Sequence, residues 1–279
     1  MRRLLKRILP YRLRQVVRGQ RDWLAMRMNR SFVRLVTRLV HSPDVINSFV
    51  LEAQPFTPET VIRGISLGLF PCPYDPHGGL MWHDPDPRAI LPIQTFHVPH
   101  SVRQLVRQRR FDLTLDMAFD QVITACAQSP ASQEQLWLHP YVIQTFQELH
   151  RMGLAHSVEV WQDGELVGGD ISVTLGSHCM GATTFHRVRD SSKVALIYLN
   201  EMLMAGGFVL EDAWWRTEYL AQFGVIEIPR AEFKRRLAHA LIKPARLEPL
   251  SMDEFVQRVE RRREAEKKAE LVTEQNRDS

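Results

Sequence analysis

Cysteine is scarce in this chain of 279 residues, and the three present, Cys72, Cys126 and Cys179, are far apart and odd in number. That spacing excludes a disulfide framework and a Cys-x-x-Cys metal or redox pair, and it fits a reducing compartment. No apolar run reaches the roughly 18 residues that a membrane span needs. These absences give the expectation of a cytoplasmic protein. The chain has no Gly-x-Gly-x-x-Gly, no P-loop and no Gly-x-Ser-x-Gly elbow, which removes three common enzyme readings. Its 11 histidines are not paired at metal spacing on a shared helix face, so no zinc site is expected. No internal repeat or low-complexity domain is visible.

What is present is a globular composition, 44% hydrophobic and 24% charged. It suffices for one large or two modest cores. The net charge of +4 permits a polyanionic partner without demanding one. The excess is uneven, because the first forty or so residues hold about a dozen Arg and Lys against one acid, Asp22. There Leu4, Leu5, Ile8 and Leu9 alternate with Arg2, Arg3, Lys6 and Arg7, without the continuous apolar stretch of a secretory signal. A transit peptide, a membrane-surface helix, an RNA-contacting arm and a plain solvated extension all fit this pattern.

Local signals give an element order. Thr57 with Pro58 starts a short helix that Gly64 or Gly68 ends. A Pro- and Gly-dense segment follows, with short strands near 80–82 and 89–91. Ser101 is expected to cap a basic helix, and helical period returns over 119–127 and 141–151, closed by Gly153. Residues 156–161 and 166–175 alternate as strands around the hairpin signal Asp163-Gly164. A strand over 179–185, a helix over 193–205 capped by Ser191 and Ser192, and a strand over 208–212 complete a β-α-β step. Thr217 to Gln222 reads as a short helix, and Pro229 sits at the first position of another. The tail after Met252 reads as a charged helix fading into partial disorder. Antiparallel strands followed by β-α-β predict an α+β fold with a mixed sheet.

Two places suit chemistry. Ser191, Ser192 and Lys193 at a helix N-terminus form an anion-friendly group, or simply a cap. Asp212 at a strand end can steer an amine or accept its proton, or simply make a turn. Trp82, Trp137, Trp161, Trp214 and Trp215 are base-stacking platforms or core.

Longer motifs narrow this. Gly68-Leu69-Phe70-Pro71, Trp82 and Pro85-Asp86-Pro87-Arg88 stand in order, followed by Phe119–Ala127, Trp137, Leu149-His150-Arg151-Met152-Gly153, His156–Trp161 and Leu166-Val167-Gly168-Gly169. Ser192-Lys193, Asp212, Gly224 and Pro229-Arg230 follow in register. From about Ser48 to Leu237 the chain thereby resembles the leucyl/phenylalanyl-tRNA–protein transferase family. The resemblance implies a GNAT (acetyltransferase-like) domain over 99–246 and a smaller N-terminal α/β domain over 43–98. The basic extension 1–42 and a charged tail 247–279 flank them. It implies transfer of an amino acid from aminoacyl-tRNA to the N-terminal α-amine of a protein, creating a degradation signal, without metal or dissociable cofactor. It gives Asp212 the catalytic role. It implies an aminoacyl and acceptor pocket from Trp82, His83, Trp137, Phe146, Asp170, Ala182, Phe185 and Trp214. Arg88, Ser192, Lys193 and Arg230 would meet the tRNA acceptor stem by charge.

The chain also departs from the family pattern. His83 and Cys72 replace tryptophans, and Ile65 and Phe146 replace tyrosines. Asp170 replaces a pocket methionine, Ala182 a glutamate, and Trp214 the glutamine beside Asp212. The glycines that shape the fold, among them Gly68, Gly168, Gly169, Gly181 and Gly224, are kept. The pattern is a retained frame with a re-lined pocket. Asp170 in such a pocket would favour a polar or cationic group over Leu or Phe. Alternatives are an acyltransferase acting on a small-molecule or lipid amine, with the basic extension at a membrane, and a non-catalytic tRNA- or N-terminus-binding relative.

Overall fold

A computed structural model describes residues 56–73, 80–129 and 138–275. The basic extension and Trp137 lie outside the described residues. A two-stranded hairpin pairs β1 (Phe70–Pro73) with β2 (Leu80–His83). The large sheet has the order β4-β5-β6-β7-β8-β3-β9. Its strands are β3 (Arg88–Leu91), β4 (Asp112–Leu115), β5 (Ala155–Gln162), β6 (Glu165–Leu175), β7 (His178–His186), β8 (Leu210–Trp214) and β9 (Ile226–Ile228). All pairings are antiparallel except β7 with β8. An antiparallel run ending in a parallel β-α-β step is the GNAT-like arrangement that the resemblance implied. The α+β expectation therefore holds.

Helices cover both faces. On one lie α1 (Pro58–Ser66), α3 (Phe119–Ala127) and α4 (Pro140–Arg151), whose Val61, Val122, Ile123, Phe146 and Leu149 pack on Ile171, Val173 and Met180 of the sheet. On the other lie α2 (His100–Arg107), α5 (Ser191–Ala205) and α8 (Met252–Gln275). The crossover helix α5 is buried almost all round, as an apolar helix between a sheet and two other helices must be. The short α6 (Glu218–Ala221) follows β8, and α7 (Arg230–Ile242) packs Phe233 and Leu237 against Ile90, Leu210 and Ile228.

Local chemistry explains the ends of these elements. Thr57 caps α1 reciprocally with Thr60, a capping box worth about 1 kcal/mol, with Pro58 in the first turn. Gly168 lets β6 approach α5, since a Cβ there would sit 2.4 Å from the Ser191 hydroxyl.

Several expectations need correction. Ser101 lies inside the first turn of α2, whose N-cap is Pro99 without a side-chain bond. Pro229 is the N-cap of α7 rather than its first residue. Strand β8 begins at Leu210, not Phe208, so Asp212 is mid-strand. The sheet also crosses the expected boundary at residue 98, because β3 lies between β8 and β9. The tail after Met252 is helical as expected, over Met252–Gln275, but it is docked rather than solvated throughout. Phe255 and Val259 of α8 are fully buried, contributing about 1.5–3 kcal/mol each. One helical turn on, buried Arg262 donates to Glu201, to Asn200 Oδ1 at 2.8 Å and to the Ile93 carbonyl at 2.8 Å. These three anchors at i, i+4 and i+7 dock a helix whose overall composition reads as solvated.

Candidate active site

The parallel ladder between β7 and β8 covers only His178–Met180 against Leu210–Asp212. Beyond it the strands part. Gly181, Ala182, Thr183 and Thr184 are half-buried although β7 is interior to the sheet. A Cβ on Gly181 would meet nothing nearer than the Asp212 carbonyl oxygen at 3.8 Å. The parting makes a cleft bounded by β7, the end of β8 and the start of α5.

Asp212 sits where the strands separate, but it does not open to the cleft. Its carboxylate is 2% exposed and receives Arg88 Nε on Oδ1 at 2.7 Å and Arg88 Nη2 on Oδ2 at 2.5 Å. Arg88 is 1% exposed, donates also to the Gly68 carbonyl at 3.2 Å, and lies between the rings of Phe70 and Phe233. His178 Nε2 is 3.8 Å from Oδ2. Burial alone would raise the Asp212 pKa. The charge and hydrogen bonds of Arg88 outweigh it, with help from His178, and pull the value down to about 2. Asp212 is thus a permanently ionised anchor. Of the two roles open to Asp212, steering an amine and accepting its proton, an acidic carboxylate suits the first.

The same pair corrects the role expected of Arg88. A guanidinium buried under two rings and bidentate to a carboxylate cannot reach a tRNA backbone. Ser192 is buried too, and the neighbouring Ser191 hydroxyl donates to the Val167 and Val188 carbonyls. The N-cap of α5 is Asp190 (φ 65°), which holds Lys193 Nζ at 2.9 Å, so the expected anion site carries its own acid. Arg230 is 45% exposed and reaches the Asp84 carbonyl at 3.0 Å, while its backbone N–H donates to Asp86 Oδ1 at 3.0 Å. Lys193 and Arg230 can still meet solvent, each beside a carboxylate.

The aromatic residues divide. Trp82, Phe146 and Phe185 are core, contrary to a lining role. The Trp82 ring packs so closely on α1 that a Cβ at Gly64 would sit 2.3 Å from it. His83 and Trp214 both pack on Phe70. Trp214 stacks on Phe70 at 4.7 Å between centroids, and His83 stacks on the same ring at 5.8 Å. Trp215, 39% exposed, meets Phe70 edge-on at 4.7 Å. Trp214 adopts φ 66°, and its N–H donates to Asp212 Oδ1 at 3.1 Å, so the anchor also sets the corner that presents both tryptophans. Burial lowers the His83 pKa, which favours the neutral ring.

Ala182 lies on the cleft wall, half-buried. Asp170 does not point to solvent. It is 3% exposed, and Oδ1 accepts no hydrogen bond from the described residues. Sequence reasoning placed Phe70 in a family motif without giving it a role, and it missed His178, which carries no motif signal separable from core. It also missed Arg187, Arg189 and Arg216. These exposed cations follow β7, precede α5 and follow β8, which places them at the cleft's edge. Only their spacing next to a strand end and a helix start could have marked them.

Comparisons with known proteins converge on one family. Residues 90–238 match the family model described as leucyl/phenylalanyl-tRNA protein transferase. A leucyl/phenylalanyl-tRNA–protein transferase from Salinibacter ruber is 46% identical over 185 residues, which are 66% of this chain and 80% of that one. Its counterpart from Paramagnetospirillum magneticum is 45% identical over 193 residues, 69% of this chain and 92% of that one. Among solved structures, a GCN5-related N-acetyltransferase-like protein from Streptococcus suis overlaps 51% of this chain and 57% of that one. It has 13% identity and a TM-score of 0.31. The fold assignment rests on the strand order rather than on that overlap.

Proposed function

The chain belongs to the leucyl/phenylalanyl-tRNA–protein transferase family, and from that membership we propose that it moves an amino acid from the 3′ end of an aminoacyl-tRNA to the N-terminal α-amine of a protein. The observation that carries the reading is the parted β7/β8 edge with the Arg88–Asp212 anchor at its root. In the reaction the acceptor amine attacks the ester carbonyl, a C–N bond forms, and the C–O bond to the terminal ribose breaks. The proton lost by nitrogen ends on the ribose oxygen. An activated ester needs little beyond orientation and exclusion of competing water.

The residues divide that work. Asp212, held ionised by Arg88, fixes the β8 corner and lends a negative field to the ammonium that forms on attack. It is a positioning residue. Trp214 and Trp215, backed by the buried Phe70 ring, make an aromatic wall on which the terminal adenine stacks. His83 and Ala182 complete the lining. Arg187, Arg189 and Arg216, with Lys193 and Arg230 nearer their acids, meet acceptor-stem phosphates by charge. The segment before residue 99 supplies Phe70, His83 and Arg88, so it shapes the cleft rather than folding apart.

No described helix is long and apolar enough to cross a membrane. A cytoplasmic site of action fits the family's substrates. The extension 1–42 is assigned RNA or membrane-surface contact on its charge pattern alone.

The test is transfer from a total aminoacyl-tRNA pool to a peptide with N-terminal Arg. We expect transfer, and we expect Asp212→Asn to reduce it at least about tenfold, with the fold retained by circular dichroism. No transfer from any charged tRNA would overturn the reading. Unchanged transfer by Asp212→Asn would remove the anchor from the mechanism.

A further inference from the structure

Buried acids in this protein are usually answered. Glu159 accepts from the Ser157 hydroxyl at 2.5 Å and from the Ala118 N–H at 3.2 Å. Glu201 meets Arg262, Glu211 meets Asn200 Nδ2 at 2.7 Å, and Asp212 meets Arg88. Asp170 differs. Cys126, Cys179, Tyr219 and Glu211 lie near enough to feel its charge, none of them is a cation, and no ion pair to Asp170 is found among the described residues. A buried carboxylate oxygen without a donor is among the costlier defects a native core carries, and one that persists next to a cleft points to an absent partner.

Position identifies the partner's route. Asp170 pairs with Thr184 across the β6/β7 ladder, so the two side chains share a face. Thr184 is half-buried on the open wall of the cleft. The carboxyl group therefore lies one strand spacing, about 5 Å, behind that wall. The same face carries the start of α5, since Gly168, two residues earlier on β6, abuts Ser191. Small Gly181 and Ala182 leave room for a long, slim group. Thr184 and Ser192 line its path with hydroxyls, which suits a donor-rich head more than a branched or aromatic hydrocarbon.

We propose that Asp170 selects the transferred amino acid, and that its ligand is a cationic side chain, an alkylammonium or guanidinium, entering from the β7/β8 cleft. The inference rests on the aminoacyltransferase reading above and sharpens it. The ammonium supplies up to three donors and a counter-charge in one step. A hydrocarbon would leave Asp170 desolvated and unanswered. A site built around a buried polar group rejects ligands that lack the complement more strongly than an apolar pocket rejects a wrong shape.

Stable 3′-amide analogues, namely lysyl-, norleucyl-, leucyl- and phenylalanyl-amido-3′-deoxyadenosine, separate the sources of the cation. Lysine and norleucine side chains differ in the terminal ammonium, whereas all four analogues share the α-ammonium. Binding is measured by calorimetry at pH 8 with the full chain, Asp170→Asn and Asp170→Leu, each checked for its melting transition. The lysyl analogue is expected to bind at least about tenfold tighter than the norleucyl one. The preference should fall below about threefold in Asp170→Asn, and Asp170→Leu should favour the leucyl analogue. Equal binding of lysyl and norleucyl analogues, both weakened by Asp170→Asn, would mean that Asp170 reads the α-ammonium and would overturn the proposal. Leucyl or phenylalanyl binding as tight as lysyl would overturn it while leaving aminoacyl transfer standing. No binding by any analogue, with no transfer from the tRNA pool, would remove both.

Discussion

Asp170 and Asp212 lie two strands apart in one sheet, equally hidden from water, and their environments push them in opposite directions. Asp212 has Arg88 on both oxygens and stays charged, at about 2. Asp170 has no cation among the described residues, and burial pushes its pKa up to about 7. The difference shows that burial does not set the state of a carboxylate; the partner does. One acid is locked into the frame, while the other keeps an oxygen without a donor among the described residues.

The harshest way to break the contrast is to turn the first acid into the second. Arg88→Ala strands the Asp212 charge in the core and also frees the Gly68 carbonyl. A loss of about 3–5 kcal/mol in denaturant unfolding is expected. Adding Asp212→Asn to that variant should recover a part of the loss, and no recovery would mean that packing of the guanidinium between Phe70 and Phe233 is the larger share.

A gentler change goes the other way. Asp170→Asn should stabilise the protein at pH 8 by on the order of 1–3 kcal/mol, because it removes an unanswered charge. The effect has a pH signature. Between about pH 4 and 7 the native state keeps a proton on Asp170 that the unfolded chain has released, so stability falls as pH rises through that window and levels above it. The variant should flatten this limb of a melting-temperature profile. Glu211, pushed up to about 8 chiefly by burial, adds a slope of the same sign that remains. Asp212 behaves oppositely: its stabilisation is full above about pH 4 and is lost as pH falls toward 2. A profile unchanged by Asp170→Asn would show that the carboxyl group is already answered in solution.

The baseline for both acids is an ion pair in water. Arg246 meets Glu248 at 3.3 Å with both side chains mostly exposed. Arg246→Ala should shift stability by less than about 0.5 kcal/mol. A larger loss would mean that the aliphatic part of the Arg246 side chain contributes packing beyond its charge.

Much of the frame was legible in the sequence because its signals are local. The Thr57 cap, the Asp163-Gly164 turn and the alternation over 166–175 each act within a few residues. The site was legible only as a set of names. Arg88, 124 residues from Asp212, looked like a surface cation because nothing nearby reveals its partner. Trp82 looked like a lining residue because its packing on Gly64 depends on how α1 lies against the hairpin. The Arg262 cluster was hidden in a run whose composition is that of a solvated helix. Long-range pairing decides all three, and pairing leaves no periodicity.

Strand β3 holds a consequence of its own. Its neighbours in the sheet, β8 and β9, are made more than a hundred residues after it. During synthesis the Arg-Ala-Ile-Leu segment must wait, unpaired on both edges, until residues 210–228 have left the ribosome. At about 5–20 residues per second that delay lasts on the order of ten seconds. Over that interval the nascent chain exposes a sticky edge and an uncompensated guanidinium. The final closure of the sheet therefore waits for residues 210–228, however early the anchor's Arg88 has been made.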